Sequence, residues 1–113
     1  MRVHFTPEFR RDLRKLKHYL NEQGFHNADK VGKEILTECS DLKNFPHKGK
    51  SAYERFGIET DMKYLILGQN LIFYRINAGF VEIIRLFDTR SNIAFRMFGI
   101  DIKDPESEEF WGE

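Results

Sequence analysis

Residues 71–90 read LIFYRINAGFVEIIRLFDTR, and this stretch decides the fold. Two runs rich in β-branched and aromatic residues, 71–77 and 80–87, are separated by Ala78-Gly79 alone. A link of two residues forces its flanking strands into an antiparallel hairpin. That pairing sets Arg75 opposite Glu82, Tyr74 opposite Ile83 and Ile72 opposite Arg85. One face then carries Leu71, Phe73, Ile84 and Leu86. The other carries Ile72, Tyr74, Ile76, Val81, Ile83 and Phe87. Both faces are apolar, so the hairpin is expected to be covered on both sides. Upstream, Asp61–Leu67 (DMKYLIL) is joined through Gly68-Gln69-Asn70 and supplies a third strand. Arg2-Val3-His4-Phe5 alternates over a short run and fits an edge strand.

Between these pieces the apolar period changes from two to about three and a half. Thr6 is placed as an N-cap and Pro7 at the first helical position, where its missing N–H is harmless. Phe9, Leu13, Leu16, Tyr19 and Leu20 then form one stripe, Arg10, Arg11, Arg14, Lys15 and Lys17 fill the rest, and Gly24 stops the helix. A second helix is read from Asn27 to Leu42 through Ala28, Val31, Ile35, Cys39 and Leu42. The two make a helical hairpin. Phe45-Pro46-His47-Lys48-Gly49 reads as a loop, and residues 50–60 are polar and weakly patterned. Residues 91–100 (SNIAFRMFGI) read as a short helix capped by Ser91 or Asn92, a second cover for the sheet through Ile93, Phe95, Met97 and Phe98. The expected class is α+β: an N-terminal helical hairpin on a 3–4-stranded antiparallel sheet, closed by a short C-terminal helix.

The chain has 113 residues, of which 41% are hydrophobic and eleven are Phe, enough to build one core. The reading is one domain over residues 1–100 and an acidic tail over 101–113. The formal charge of zero hides an asymmetry: the tail (DIKDPESEEFWGE) holds six acidic residues and one lysine, leaving 17 basic and 12 acidic residues elsewhere. Such a body suits phosphate or an acidic protein, and the tail either screens it or is a solvated end. The lone Cys39 excludes an internal disulfide and fits a reducing compartment. No signal peptide opens the sequence, and no apolar run approaches the roughly 18–20 residues that cross a bilayer, so a soluble cytoplasmic protein is expected. The four His are scattered, no Cys pair exists and the eight Gly are isolated, which leaves no metal or cofactor motif.

Candidate contact residues remain. Arg75 has a cross-strand partner in Glu82 or else reaches a target. Arg85 lies among apolar residues, where a guanidinium needs a partner or the sheet rim. Arg90 follows the last strand in a loop open to ligands. His47 and Lys48 belong to a small basic loop fit for phosphate, and Phe110 and Trp111 either dock on the body or meet a partner.

The opening VHFTPEFRRDLRKL with its Asp12-Leu13 pair, the LKNFPHKGK break spanning Leu42 to Pro46, and the Tyr74-Arg75-Ile76 strand followed by a strand ending near Arg90 resemble the RelE/ParE superfamily of toxin–antitoxin toxins. The resemblance covers about residues 2–92. It implies a cognate antitoxin as partner, no cofactor, and one of two activities. ParE-like members inhibit DNA gyrase, whereas RelE-like members cleave mRNA on the ribosome without metal, using basic residues, an Arg and a Tyr. The Arg that nuclease members place at the start of the middle strand is Leu71 here. No Tyr follows Arg90, and Phe95 and Phe98 cannot exchange protons. A nuclease would have to rely on Arg85, Arg90 and Lys63. The resemblance therefore favours a ParE-like toxin, with the nuclease and a non-toxic binding module of the same fold as alternatives.

Overall fold

In the computed structural model, residues 1–89 are described. The order is β1 (Arg2–Phe5), α1 (Pro7–Glu22), α2 (Ala28–Ser40), a 3₁₀ turn (Asp41–Lys43), β2 (Lys50–Ser51), α3 (Ala52–Phe56), β3 (Lys63–Leu67), β4 (Asn70–Asn77) and β5 (Phe80–Asp88). The fold is α+β, with α1 and α2 packed on one face of the sheet. The sheet has five strands in the order β1-β5-β4-β3-β2, one or two more than the sequence suggested. It is mixed, because β1 runs parallel to β5 with Val3 beside Val81 and Phe5 beside Ile83. The parallel pair follows from connectivity: the helices and three further strands separate β1 from β5, so no tight turn constrains their direction.

The helical hairpin forms as its pattern requires. The Thr6 hydroxyl accepts from the Phe9 amide at 3.0 Å, capping α1, and Pro7 occupies its first turn. Phe9, Ile35, Cys39 and Leu42 are buried against Leu65, Ile72, Tyr74, Val81, Ile83 and Leu86, with Leu13, Leu16 and Val31 partly buried at the margin. Tyr19, placed in the buried stripe by its spacing, is instead 53% exposed. The helices approach closely where the Lys17 stem lies over Gly32, and the Lys17 ammonium reaches Asp29 at 3.4 Å.

The hairpin register holds near the turn, where Arg75 faces Glu82 and Tyr74 faces Ile83, then slips by one residue. Phe73 pairs with Arg85 and Ile72 with Leu86, so Ile84 is the extra residue of a β-bulge on β5. Because side chains alternate with period two, the slip exchanges the faces of everything beyond it. Leu86 joins Ile72 under the helices, and Phe87 joins Leu71 and Phe73 on the opposite face. The pairing of Ile72 with Arg85 and the face assignments of Leu86 and Phe87 are thereby corrected.

That opposite face is covered by an element absent from the sequence reading. Ser51 accepts from the Glu54 amide at 3.2 Å and starts α3, and Gly57 ends it at φ +69°, a conformation that favours glycine. Ala52 is buried and Phe56 packs on Tyr64 and Phe73 with ring centroids 6.0 and 5.8 Å apart. The helix expected over residues 91–100, the second cover in the sequence reading, lies outside the described residues. None of the helices among the described residues is long and apolar enough to cross a membrane.

Cys39 is buried on the face of α2 that packs on the sheet, and loss of water pushes its thiol up to about 12. Ellman's reagent should therefore titrate essentially no thiol in the native protein at neutral pH and one per chain after urea denaturation. Full reaction of the native protein within the mixing time would contradict this packing.

Candidate functional site

Three local devices hold the basic residues of the sheet, and Tyr74 is the first. Its hydroxyl, borne in the middle of β4, donates to the Pro46 carbonyl at 2.8 Å and accepts from the Gly49 amide at 2.9 Å. Burial pushes the phenol pKa up, against the lesser opposing effect of the Gly49 hydrogen bond. The two bonds clamp residues 46–49 to the sheet, so His47 and Lys48 are carried on a pinned loop. Glycine is required at 49, because a Cβ there would meet Tyr74 and come within 2.8 Å of the Tyr64 carbonyl oxygen. Lys48 is already engaged: its ammonium sits 2.6 Å from Glu38 and 3.1 Å from Asp41, and its pKa is raised first by the Glu38 hydrogen bond. His47 is exposed.

The sheet arginines are the second. Arg75 stands opposite Glu82 in the backbone ladder, yet its guanidinium turns to Asp61 at 2.7 Å and holds that carboxyl below the usual range. Glu82 instead accepts from the Asn77 amide at 3.4 Å. Arg85 is gripped by Asp12 through two bonds, Nε to Oδ2 at 2.7 Å and Nη2 to Oδ1 at 3.2 Å, and stacks 4.4 Å over the Phe87 ring. Asp12 Oδ2 also accepts from the Leu86 amide at 3.0 Å. The expectation that Arg85 finds a partner or the rim resolves to a partner on α1. Arg90 lies outside the described residues. Leu71 is 0% exposed, inside the aromatic cluster of Tyr64, Phe73 and Phe87, with no route from its side chain to a ligand.

The third device is a groove that the sequence reading missed as a unit. Lys50, Ser51, Glu54, Arg55, Lys63 and Tyr64 line it beside Gly49. Arg55 lies 5.4 Å over Tyr64 and 5.6 Å over Phe56, so its stem and plane are held by aromatic faces. Among the described residues, Lys50, Arg55 and Lys63 make no ion pair, whereas Lys17, Lys48, Arg75 and Arg85 all do. The signal was present as Ser51-Ala52-Tyr53-Glu54, the spacing of a capping box, followed by Gly57. It was hidden by the polar, aperiodic surroundings. Of the candidates, only Lys63 belongs to this groove; Arg75, Arg85 and Lys48 are held elsewhere by carboxylates. Among the described residues, no three His, Cys, Asp or Glu side chains gather to hold a metal ion. The arrangement suits recognition of an anion or a protein surface.

Removing one partner of the Asp12–Arg85 pair strands a half-buried guanidinium and an unpaired bulge amide. Asp12→Ala is expected to cost about 2–3 kcal/mol in urea unfolding. Asp12→Ala with Arg85→Met should recover about 1 kcal/mol of that loss, because no uncompensated charge remains. Equal stability of Asp12→Ala and the unaltered protein would refute the role given to Asp12.

Comparison with known proteins bears on this geometry. The sequence model of the family described as ParE toxin of type II toxin-antitoxin system, parDE, matches residues 3–93. No curated protein matches the chain. A chain of the chromosomal ParDE toxin–antitoxin system from P. aeruginosa superposes with a TM-score of 0.63 at 20% identity, covering 78% of this chain and 95% of that one. A chain of the RelBE2 toxin–antitoxin complex from Mycobacterium tuberculosis does so with a TM-score of 0.55 at 21% identity, covering 77% and 88%. At these identities the two structures share the fold, and the match over residues 3–93 settles the family: the chain belongs to the ParE toxins of type II toxin–antitoxin systems.

Proposed function

We propose that residues 1–100 are one toxin domain that arrests growth in the cytoplasm by binding a protein target, with DNA gyrase as the first candidate, and that a cognate antitoxin neutralises it. The observation that carries this reading is the state of the positions a nuclease would need. Position 71 is a buried leucine, and the Arg85 guanidinium is spent on Asp12. Both are built into the packing instead of being presented to a substrate.

The outer edge of β3 is the seat assigned to the antitoxin on physical grounds. Among the described strands, β2 pairs only with Lys63 and Tyr64, which leaves Leu65–Leu67 as an open edge with Ile66 49% exposed. An extended segment can add a strand there, using main-chain bonds for affinity and alternate side chains for specificity. The α2 residues Lys30, Lys33, Thr37 and Glu38 border a groove that ends at Leu67 and would frame it.

A second reading is favoured by the uncompensated Lys50, Arg55 and Lys63, which suit a polyanion. It is ribosome-dependent mRNA cleavage.

Purified chain added to a gyrase reaction should block supercoiling, while primer extension on cellular mRNA after induction shows no new ends. Codon-positioned cleavage with unaffected supercoiling would replace this reading by the nuclease one. If neither changes in a folded protein, the chain is a binding module of this fold. Ile66→Lys should weaken capture of the antitoxin by at least about tenfold, roughly 1.4 kcal/mol, in a pull-down titration; unchanged capture would remove the β3 edge as its seat.

A further inference from the structure

We propose that the acidic residues 101–113 of this same chain dock in the groove lined by Lys50, Arg55 and Lys63 and shield it electrostatically. The inference does not depend on which target the chain binds. Its first support is the pattern of compensation. On and around the sheet, Arg85, Arg75 and Lys48 each have a carboxylate within 3.1 Å, whereas the three cations of this groove have none among the described residues. Three cations thus share this groove with Glu54 as the one acidic residue lining it.

The second support is what the chain itself offers in return. Residues 101–113 carry Asp101, Asp104, Glu106, Glu108, Glu109 and Glu113 against Lys103, and they include Phe110 and Trp111. The groove presents the complementary chemistry: cations for the carboxylates, and the Arg55 guanidinium on the faces of Tyr64 and Phe56 beside which an aromatic ring can stack.

The third support is reach. The Thr89 amide bonds the Gln69 carbonyl at 2.8 Å, so the chain leaves the sheet beside the turn between β3 and β4. Lys63 lies four residues down β3 from Leu67, about 13 Å, and β3 is two strand spacings from β5, about 10 Å. The eleven residues 90–100 can span up to about 36 Å when extended, so 101–113 reach the groove without strain.

Trp111 is the single tryptophan of the chain, so its fluorescence reports on the tail alone. Acrylamide, a neutral quencher, is the probe, used on the full-length protein. Ion pairs in an open groove are screened as the Debye length falls from about 30 Å at ~0.01 M salt to about 3 Å at ~1 M, so the quenching constant should rise roughly twofold over that range. Lys50→Glu/Arg55→Glu/Lys63→Glu should show the high value already at low salt. So should Asp104→Asn/Glu106→Gln/Glu108→Gln, which alters none of residues 1–89 and guards against misfolding of the first variant. A quenching constant independent of salt overturns the proposal, and so does a change in only one of the two variants.

Discussion

The carboxylate of Asp12 reaches from the second turn of α1 to the one irregular place in the sheet. There it binds the Arg85 guanidinium through both oxygens and takes the Leu86 amide as well. The bulge at Ile84 breaks the β4–β5 ladder and would leave backbone groups without partners. Two side chains of the β1–α1 segment supply them. The Thr6 hydroxyl donates to the Ile84 carbonyl at 2.7 Å while also capping α1, and Asp12 accepts from the Leu86 amide. The entry of the first helix and the slip of the last strand are therefore one device. Remove the bulge, and Phe87 turns toward the helices while Leu86 turns away, leaving neither face with its present packing.

This arrangement decides what the basic residues can do. A bidentate Arg–carboxylate pair is directional and holds its partner in one place. Arg85, stacked on Phe87 and gripped by Asp12, contributes to the shape of the β5 surface and not to a mobile charge above it. Arg75 and Lys48 are restrained by Asp61, Glu38 and Asp41 in more exposed settings, where each pair adds little stability but still neutralises the local field. The small cationic groove beside α3 is held in place because Tyr74 clamps the loop before it and the aromatic cluster of Phe56, Tyr64 and Phe73 lies beneath it.

Membership of the ParE toxins rests on the match over residues 3–93. The same topology in chains of a ParDE system and a RelBE2 complex, at about one residue in five identical, shows how little sequence the scaffold demands. Function is set by what is grafted on it. In this chain Leu71 is buried, and carboxylates occupy Arg85, Arg75 and Lys48.

The helical hairpin, the three consecutive strands and their turns were legible in the residues, because each is fixed by local periodicity, by Thr6 and Pro7, or by a two-residue link that permits one direction only. The family resemblance rested on the same local signals. The bulge was not legible: the apolar doublets Ile83-Ile84 and Leu86-Phe87 satisfy either register, and only the partners offered by Thr6 and Asp12, about 75 residues away, choose between them. The parallel seat of β1, the partners of Arg75, Lys48 and Arg85, and the exposure of Tyr19 likewise depend on contacts distant in sequence. Helix α3 lay between these cases, with a capping box and a stop glycine in plain sight but too few residues to show a period. Local propensity thus determined which elements form and in what order. Where each charge goes was decided only once the folded chain brought its counter-charge within reach.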